Sequence, residues 1–467
     1  MDPLRHDLSR RQMRMIGIGG AIGTGLFLGS AAAIATAGPA VVVSFLIGGA
    51  VALTLAYALS TMVAAYPGVH GFGGLAHRFL GRGPAFVQRW WYWGAQVVNV
   101  GSEALAAGIY VRLWWPQLPL WVPVAVIAIV VLAANALTVR VFGEFEYWFA
   151  MIKVVAILLF IGLGVAAIFF GLPGSPAIGL SGWTDHGGFA PFGLPGIWLA
   201  MVLVFFSYMG TESMAIAAGE ARDARRDVVA ATRGVVVRLL LFYVLATAVV
   251  ISVVPWTDAG GTVTASPFVR LFQYAGIPAA VHIMNAVVLV AAVSAMNTNV
   301  YLTSRTLYQL SVTRHAPGVF ARVNRRGVPL NALLFSGLGL VLASLLAAFA
   351  PGQAFLALVG LALGGAVLTW VLILATYLAF WRAHPERRSP RGNLLAAGSA
   401  LSILVLLGVL ATMSVTETFA TPTRLGAPLL LLVVVAAVAH RLLGRRAGPE
   451  PGPEELSPDP AAAGPAR

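Results

Sequence analysis

Long apolar runs alternate with short polar stretches along most of the chain. Most runs hold about 20 residues or more, the length that a helix needs to cross the hydrocarbon core of a bilayer. The pattern predicts an all-α polytopic membrane protein with about twelve transmembrane helices, numbered here as spans 1 to 12. The predicted spans cover residues 14–36, 40–66, 86–112, 119–138, 144–171, 196–220, 229–254, 276–308, 330–350, 353–382, 393–414 and 424–443.

Spans 1 and 6 are interrupted by small, flexible or polar residues. The first interruption is GIGGAIGTGLF (17–27), and the second is FSYMGTESMAIAAGE (206–220), roughly 190 residues further on. Glycine weakens a helix by about 1 kcal/mol relative to alanine, and an opened span leaves amides and carbonyls that need partners in lipid. Two broken spans at matching places in the two halves of a chain indicate the substrate site of a transporter. The alternative is that these glycines only permit close helix packing.

The two breaks offer complementary chemistry to a small zwitterion. Gly23 and Gly25 let the backbone approach a ligand closely, and the half-helix after them presents free amides and the positive end of its dipole to a carboxylate. Ser207 and Gly210 lie in the second break, where freed carbonyls can accept bonds from an ammonium group. Phe206 is expected to close over the site as an aromatic lid, although it can equally be a packing residue.

Composition and charge agree with a membrane location. The chain is 59% hydrophobic and only 10% charged, against about 25% charge in a typical soluble domain. The absence of cysteine excludes disulfides, thiolate metal sites and cysteine nucleophiles. The net charge of +13 comes from arginines that flank the spans, which indicates membrane topology and not nucleic-acid binding. Their distribution places both termini in the cytoplasm. The spans contain no His-Glu-x-x-His motif and no paired aspartates, so an enzyme or a receptor is a remote alternative.

Lys153 is the only lysine of the chain and lies within span 5. It follows Glu144 by nine residues, which places it about 13 Å into the span. An ammonium at that depth must be paired, hydrated or neutral, so it is a candidate for proton coupling and a substitute for a bound monovalent cation. The alternatives are a static ion pair and an amine that caps carbonyls.

Two carboxylates and one polar cluster also lie within spans. Glu212 directly follows the second break and either stabilises the unwound segment or carries a proton. Glu103 in span 3 is either functional or a satisfied helix contact. The residues Asn297, Thr298 and Asn299 in span 8 either line a polar cavity or hold helices together.

Several motifs resemble one family. They are GGAIGTGLFLGS (19–30), AGPA (37–40), FGEFEYWFAMIK (142–153), SRTLYQLS (304–311), NRRGVPLNAL (324–333) and LTWVLILATYLAFWR (368–382). With them the chain resembles the amino acid permeases of the amino acid–polyamine–organocation superfamily, and most closely the bacterial amino acid transporter family. The resemblance covers about residues 8–440.

The resemblance implies a leucine-transporter-like fold with two inverted repeats of five helices plus two more helices, helices 1 and 6 being discontinuous. The resulting organisation is a cytoplasmic tail (1–13), a first repeat (14–171), a second repeat (196–382) and helices 11 and 12 (393–443). The segment 447–467 is rich in Pro, Glu, Gly and Ala and is expected to be a disordered cytoplasmic tail.

The resemblance also implies import of amino acids across the plasma (inner) membrane, usually by proton symport and with no cofactor. An amino acid or polyamine exchanger on the same fold is the alternative. The expected substrate residues are Ala21, Ile22, Gly23, Thr24, Gly25, Phe206, Ser207, Met209, Gly210 and Asn299, and the expected proton-coupling residues are Lys153, Glu212 and Glu103. Asn299 stands where relatives often have a small residue, which points to an altered pocket. The sequence leaves the individual amino acid and the oligomeric state open.

Overall fold

The computed structural model describes residues 23–66, 71–137, 139–172, 176–212, 239–258 and 279–444, together with a few single positions. Every regular element in these ranges is helical. The α-helices are α1 (Ser30–Ala37), α2 (Val41–Ala65), α3 (Gly71–Leu80), α4 (Arg82–Val111), α5 (Trp121–Asn135), α6 (Val139–Phe169), α7 (Gly193–Ser207), α8 (Ala246–Val253), α9 (Ala280–Val312), α10 (Leu330–Ser336), α11 (Leu338–Phe349), α12 (Ala354–Ala383), α13 (Pro390–Val415) and α14 (Glu417–Gly444). A π-helical turn, Gly25–Gly29, leads into α1, and another, Leu239–Leu245, leads into α8.

Within the described residues, seven helical stretches are long and apolar enough to cross a membrane. Large apolar side chains point outward from them and from the shorter α5, as with Phe349 on α11, Leu404 on α13 and Ile129 on α5. Such a surface is expected where the surrounding medium is lipid. The all-helical, polytopic fold class is therefore confirmed. The count of twelve spans stays a prediction, because spans 1, 6, 7 and 8 run into residues outside the described ranges.

One helix lies where the sequence predicts a connection. The segment 67–85 contains α3, which is glycine-rich and too short to span a bilayer. It buries Phe72 and Leu75 while Arg78 at its end stays exposed. This amphipathic pattern has the period of a helix, but its apolar positions do not form a long continuous run, so α3 does not resemble a membrane span.

Helix α4 lies at the centre of the bundle and packs against α3, α5, α9, α11, α12 and α14. The two largest buried apolar clusters surround it. The larger cluster joins α1, α2, α7, α8 and α12, whereas the second joins α4, α5, α9 and α11. Polar side chains on α4 are thus held inside the bundle and away from lipid. From there they can face the two broken spans.

Candidate substrate site

The first break is described from Gly23 onward, so Ala21 and Ile22 lie outside the described residues. Gly23 is a bend, the helix begins at Thr24, and the π-helical turn Gly25–Gly29 continues into α1. The amide of Thr24 donates a hydrogen bond to Oε2 of Glu103, at 3.3 Å. The start of this half-helix therefore presents a free amide to a carboxylate, as its dipole favours.

The second break lies at Tyr208–Gly210, within the segment predicted to be interrupted. Helix α7 ends at Ser207, and the chain turns before it becomes helical again at Thr211 and Glu212. Gly210 has φ +89°, a conformation that favours glycine. The Thr211 hydroxyl donates to the Tyr208 carbonyl at 2.7 Å and so holds the turn closed.

The two breaks contact each other directly. The Ser207 hydroxyl donates to the Gly25 carbonyl at 2.8 Å, bridging residues that are far apart in sequence. A methyl group on Gly25 would lie 2.7 Å from Cα of Ser207, so the backbones approach as closely as glycine permits. Ser207, Gly25 and Thr24 are buried. The two breaks therefore lie against each other, and their forming one substrate site stays a prediction.

Phe206 and Met209 lie at the edge of this contact. The Phe206 ring is buried, packs edge-on against Phe355 with centroids 6.5 Å apart, and faces Gly29 of the π-helical turn. The Phe206 carbonyl accepts from the Met209 amide at 3.2 Å. Phe206 thus packs against the π-helical turn Gly25–Gly29, and its role as a lid over the site stays a prediction.

Glu103 reaches the first break from α4. Besides its bond to Thr24, its Oε1 atom would lie only 2.6 Å from a methyl group placed on Gly23. The side chain is 4% exposed. A carboxylate of the protein therefore contacts the same backbone segment that the sequence predicts as the binding site for the carboxylate of a substrate.

Lys153 belongs to a second buried cluster, which joins α6 to α9. Its Nζ donates to Oγ of Ser294 at 2.8 Å, and the Ser294 hydroxyl in turn donates to Oε1 of Glu146. Nζ and Oε1 are 4.0 Å apart, and both side chains are 0% exposed. Of the three alternatives that the sequence left open for Lys153 (paired, hydrated or neutral), this arrangement has it paired with Glu146 through Ser294.

Sequence reasoning missed Glu146 and Ser294. Glu146 precedes Lys153 by seven residues, which is two helical turns and therefore the same face of α6. That spacing could have indicated Glu146 as the partner of Lys153. However, Glu144 lies in the same motif and is a second candidate. Glu144 is exposed and accepts a bond from Trp148 at 3.2 Å, so it is the carboxylate that faces outward. No sequence signal could have selected Ser294, which comes from a distant helix.

Glu212 is fully buried and bonded to two other helices. Its Oε1 accepts from Gln96 of α4 at 3.3 Å, and its Oε2 accepts from the Trp370 indole of α12 at 3.0 Å. These bonds hold the residues after the second break against α4 and α12. They favour the structural alternative for Glu212 over proton transfer.

The residues of the polar cluster on α9 have different surroundings. Asn297 accepts from the Asn135 amide of α5 at 2.7 Å, which is a helix-to-helix contact. Asn299 is half-buried one turn beyond Ala295, whose side chain faces Gly23. Among the described residues, no side-chain hydrogen bond joins Asn299 to the breaks, so its place in the pocket stays a prediction.

Comparison with known proteins identifies the family. The model of the amino acid permease family matches residues 12–439. The chain belongs to the amino acid permease family. The γ-aminobutyric acid permease of Bacillus subtilis (strain 168) is 37% identical over 415 residues, which are 88% of this chain and 88% of the relative. An aromatic amino acid transport protein of Escherichia coli (strain K12) is 37% identical over 419 residues, covering 89% of this chain and 91% of the relative.

Membership of the amino acid permease family settles the class of the protein. It is a multi-pass membrane transporter and not an enzyme. These two relatives are equally identical to this permease, but they are named for different substrates. Overall similarity therefore gives the substrate class, amino acids, and leaves the individual substrate open.

A first prediction concerns the backbone contact between the breaks of this permease. Alanine at Gly25 is expected to reduce substrate counterflow by roughly tenfold or more, because its methyl group would push the Ser207 backbone away and displace the site. Gly94→Ala in α4 is the matched control, since a methyl group there has no neighbour within 4 Å. Counterflow by purified variants in proteoliposomes measures the effect. Equal activity of the two variants would contradict the assignment.

Proposed function

We propose that this permease imports amino acids together with protons by alternating access across the plasma membrane. The observation that carries the proposal is the Glu103 carboxylate on the Thr24 amide, beside the contact of the two breaks. A site that holds a protein carboxylate on a helix N-terminus is built to hold the carboxylate of an amino acid there as well.

In the proposed complex, the substrate carboxylate lies on the amides of Gly23, Thr24 and Gly25. The α-ammonium lies on carbonyls of the second break, near Phe206 and Met209. Main-chain dipoles then bind the two charged groups that all α-amino acids share. The side chain of the substrate is left to contact the residues that vary among relatives, for which Asn299 is a candidate.

Competition between two carboxylates supplies the coupling to protons. Glu103 and the substrate carboxylate cannot both accept from the Thr24 amide, and two negative charges at that distance repel each other. Protonation of Glu103 removes the repulsion and releases the amide. Substrate and proton therefore bind more favourably together than separately, which is what symport requires.

Lys153 supplies a buried cation between α6 and α9 and argues against sodium coupling. Its ammonium is bonded to Ser294 and lies 4.0 Å from Glu146. A sodium ion at that place would be repelled by the positive charge of the Lys153 ammonium. We propose that Lys153 takes the place of such an ion and that its proton is exchanged during the cycle.

We also propose twelve spans with spans 1–5 and 6–10 as inverted repeats and both termini in the cytoplasm. Every described α-helix except α3 coincides with a predicted span, which supports this organisation. The arginine-rich connections on one side of these spans support the orientation.

Transport by the purified full chain in proteoliposomes tests the proposal. Twenty amino acids, γ-aminobutyrate and polyamines are first screened by counterflow, and the best substrate is then taken up with an inside-alkaline pH gradient. A proton symporter accumulates substrate about tenfold for each pH unit when one proton moves with it. Counterflow with no accumulation would favour the exchanger, and accumulation driven by sodium alone would contradict proton coupling.

A further inference from the structure

The connection between α9 and α10 carries a concentrated positive charge. It contains four arginines and no acidic residue, and the whole segment between Asp258 and Glu386 contains no acidic residue either. The arginines are Arg314, Arg322, Arg325 and Arg326. The last three have exposed side chains, and none of these three is paired with an acidic side chain among the described residues. We call Arg322, Arg325 and Arg326 the arginine platform.

A tight turn fixes the position of the arginine platform. The Asn324 amide donates to the Val328 carbonyl, and the Gly327 amide donates to the Asn324 carbonyl, each at 3.0 Å. The Asn324 side chain accepts from the amides of Arg326 and Val328 at 2.9 and 3.0 Å. Gly327 has φ +77°, which glycine adopts without strain. Arg325 and Arg326 therefore occupy the two central positions of an ordered turn, with their side chains exposed.

Two other exposed arginines lie on aromatic rings of the protein itself. The Arg78 guanidinium is 4.4 Å from the centre of the Tyr66 ring, and the Arg388 guanidinium is 4.7 Å from the ring of Trp381. Such contacts stabilise the cation within the protein. In the part of the chain that the structure describes, no contact of this kind involves the arginine platform. Its guanidinium groups can therefore bind a ligand without first leaving a partner.

An exposed apolar stripe continues from the arginine platform into the membrane. Helix α10 begins at Leu330, four residues after Arg326, and Leu330–Phe349 is one of the stretches that are long and apolar enough to cross the membrane. Exposed apolar residues recur along it at intervals of three or four, which places them on one helix face toward lipid. They are Leu330, Leu334, Leu338, Val341 and Leu345, and we call them the apolar stripe.

We propose that the arginine platform and the apolar stripe together bind one anionic phospholipid of the surrounding leaflet. The guanidinium groups donate hydrogen bonds to the lipid phosphate, and the acyl chains lie along the apolar stripe. Charge complementarity favours an anionic headgroup over a zwitterionic one, because the ammonium of a zwitterionic headgroup would be repelled by the arginines. This site requires only the membrane-spanning fold and is independent of the substrate and of the coupled ion.

The bound lipid is expected to stabilise the packing of this region against α4. The His315 carbonyl, in the same connection, accepts from the Trp90 indole of α4 at 3.0 Å. The Phe335 ring of α10 stacks on Trp93 of α4 with ring centroids 5.4 Å apart. A ligand that binds this arrangement and not the unfolded chain raises the temperature of unfolding.

Lipid binding by the purified full chain tests the site. Delipidated protein in detergent is titrated with phosphatidylglycerol or with phosphatidylcholine of the same acyl chains, and native mass spectrometry counts the bound lipid. The first phosphatidylglycerol is expected to bind at least about tenfold more tightly than phosphatidylcholine and to raise the midpoint of thermal unfolding. Glycerophosphoglycerol, which is the same headgroup without acyl chains, should not displace it at equal concentration because it cannot contact the apolar stripe.

The triple variant Arg322→Gln/Arg325→Gln/Arg326→Gln removes the charge of the arginine platform from exposed positions. Glutamine keeps polar side chains there but cannot attract an anion. We expect this variant to bind phosphatidylglycerol no more tightly than phosphatidylcholine and to lose the thermal stabilisation.

The matched control is Arg382→Gln/Arg388→Gln/Arg391→Gln. It also removes three exposed arginines, at the end of α12 and the start of α13. This region lies on the same side of the membrane as the arginine platform, because the stretch Leu330–Phe349 and α12 cross the membrane in succession. The control should keep the preference for phosphatidylglycerol.

Three results would overturn the proposed site. Equal affinity of the unmodified protein for the two lipids would do so, and this comparison does not depend on the stability of any variant. Equal loss in both triple variants would show that net charge, and not this surface, attracts the lipid. Displacement by glycerophosphoglycerol would identify a site for a soluble phosphate compound in place of a lipid.

Discussion

Replacing Lys153 by methionine is expected to abolish substrate accumulation driven by a pH gradient and to destabilise the permease by about 3–5 kcal/mol. The loss of stability follows because Glu146 and Lys153 are both 0% exposed, so removal of the ammonium leaves a carboxylate buried without its counter-charge. The loss of accumulation follows because no other lysine can replace the titratable cation between α6 and α9.

A double variant separates these two effects. Lys153→Met combined with Glu146→Gln contains neither charge, so we expect most of the stability to return while accumulation stays absent. Thermal unfolding in detergent measures stability, and counterflow alongside gradient-driven uptake measures function. Accumulation by the double variant at the level of the unmodified protein would show that the pair is only a structural bridge.

Replacing Glu103 by glutamine is expected to uncouple substrate binding from pH. In the unmodified permease, substrate affinity should rise as pH falls, because protonation of Glu103 frees the Thr24 amide for the substrate carboxylate. Glutamine is nearly isosteric and carries no charge, so the variant should bind substrate equally well at low and at neutral pH. Accumulation should fall by about tenfold for each unit of the imposed gradient.

The pH dependence of substrate-induced thermal stabilisation, combined with counterflow, measures this uncoupling. Glu144→Gln is the matched control, since Glu144 is an exposed carboxylate bonded to Trp148 and lies away from the breaks. An affinity of Glu103→Gln that still rises as pH falls, with accumulation intact, would assign the coupled proton to another group.

The spans were predictable because they depend on local composition. A membrane helix must satisfy its backbone internally and cover the bilayer with apolar residues, and both demands are met within about 20 consecutive positions. The interruption at Tyr208–Gly210 was predictable for the same reason, as glycine and hydroxyl residues weaken a helix wherever it packs. The short α3 was missed because its apolar residues bury only one face.

The partners of the buried charges were not predictable to the same extent. Glu103 meets the first break from a position 79 residues away from Thr24, and Ser294 meets Lys153 from 141 residues away. Their contact depends on how α4, α6 and α9 are rotated and placed around one another. Local sequence gives the face of a helix on which a charge lies but not the residue that a neighbouring helix turns toward it.

The sequence alone determined the membrane-spanning, all-helical class and predicted the two breaks and three ionisable residues within the spans. Only the tertiary structure selected Glu146 over Glu144 as the partner of Lys153, placed Glu103 on the Thr24 amide and joined Glu212 to Gln96 and Trp370. The physical reason is that hydrophobic burial acts on whole segments, whereas a buried charge is stabilised by a few atoms at hydrogen-bond distance. Those atoms come together only when the helices pack.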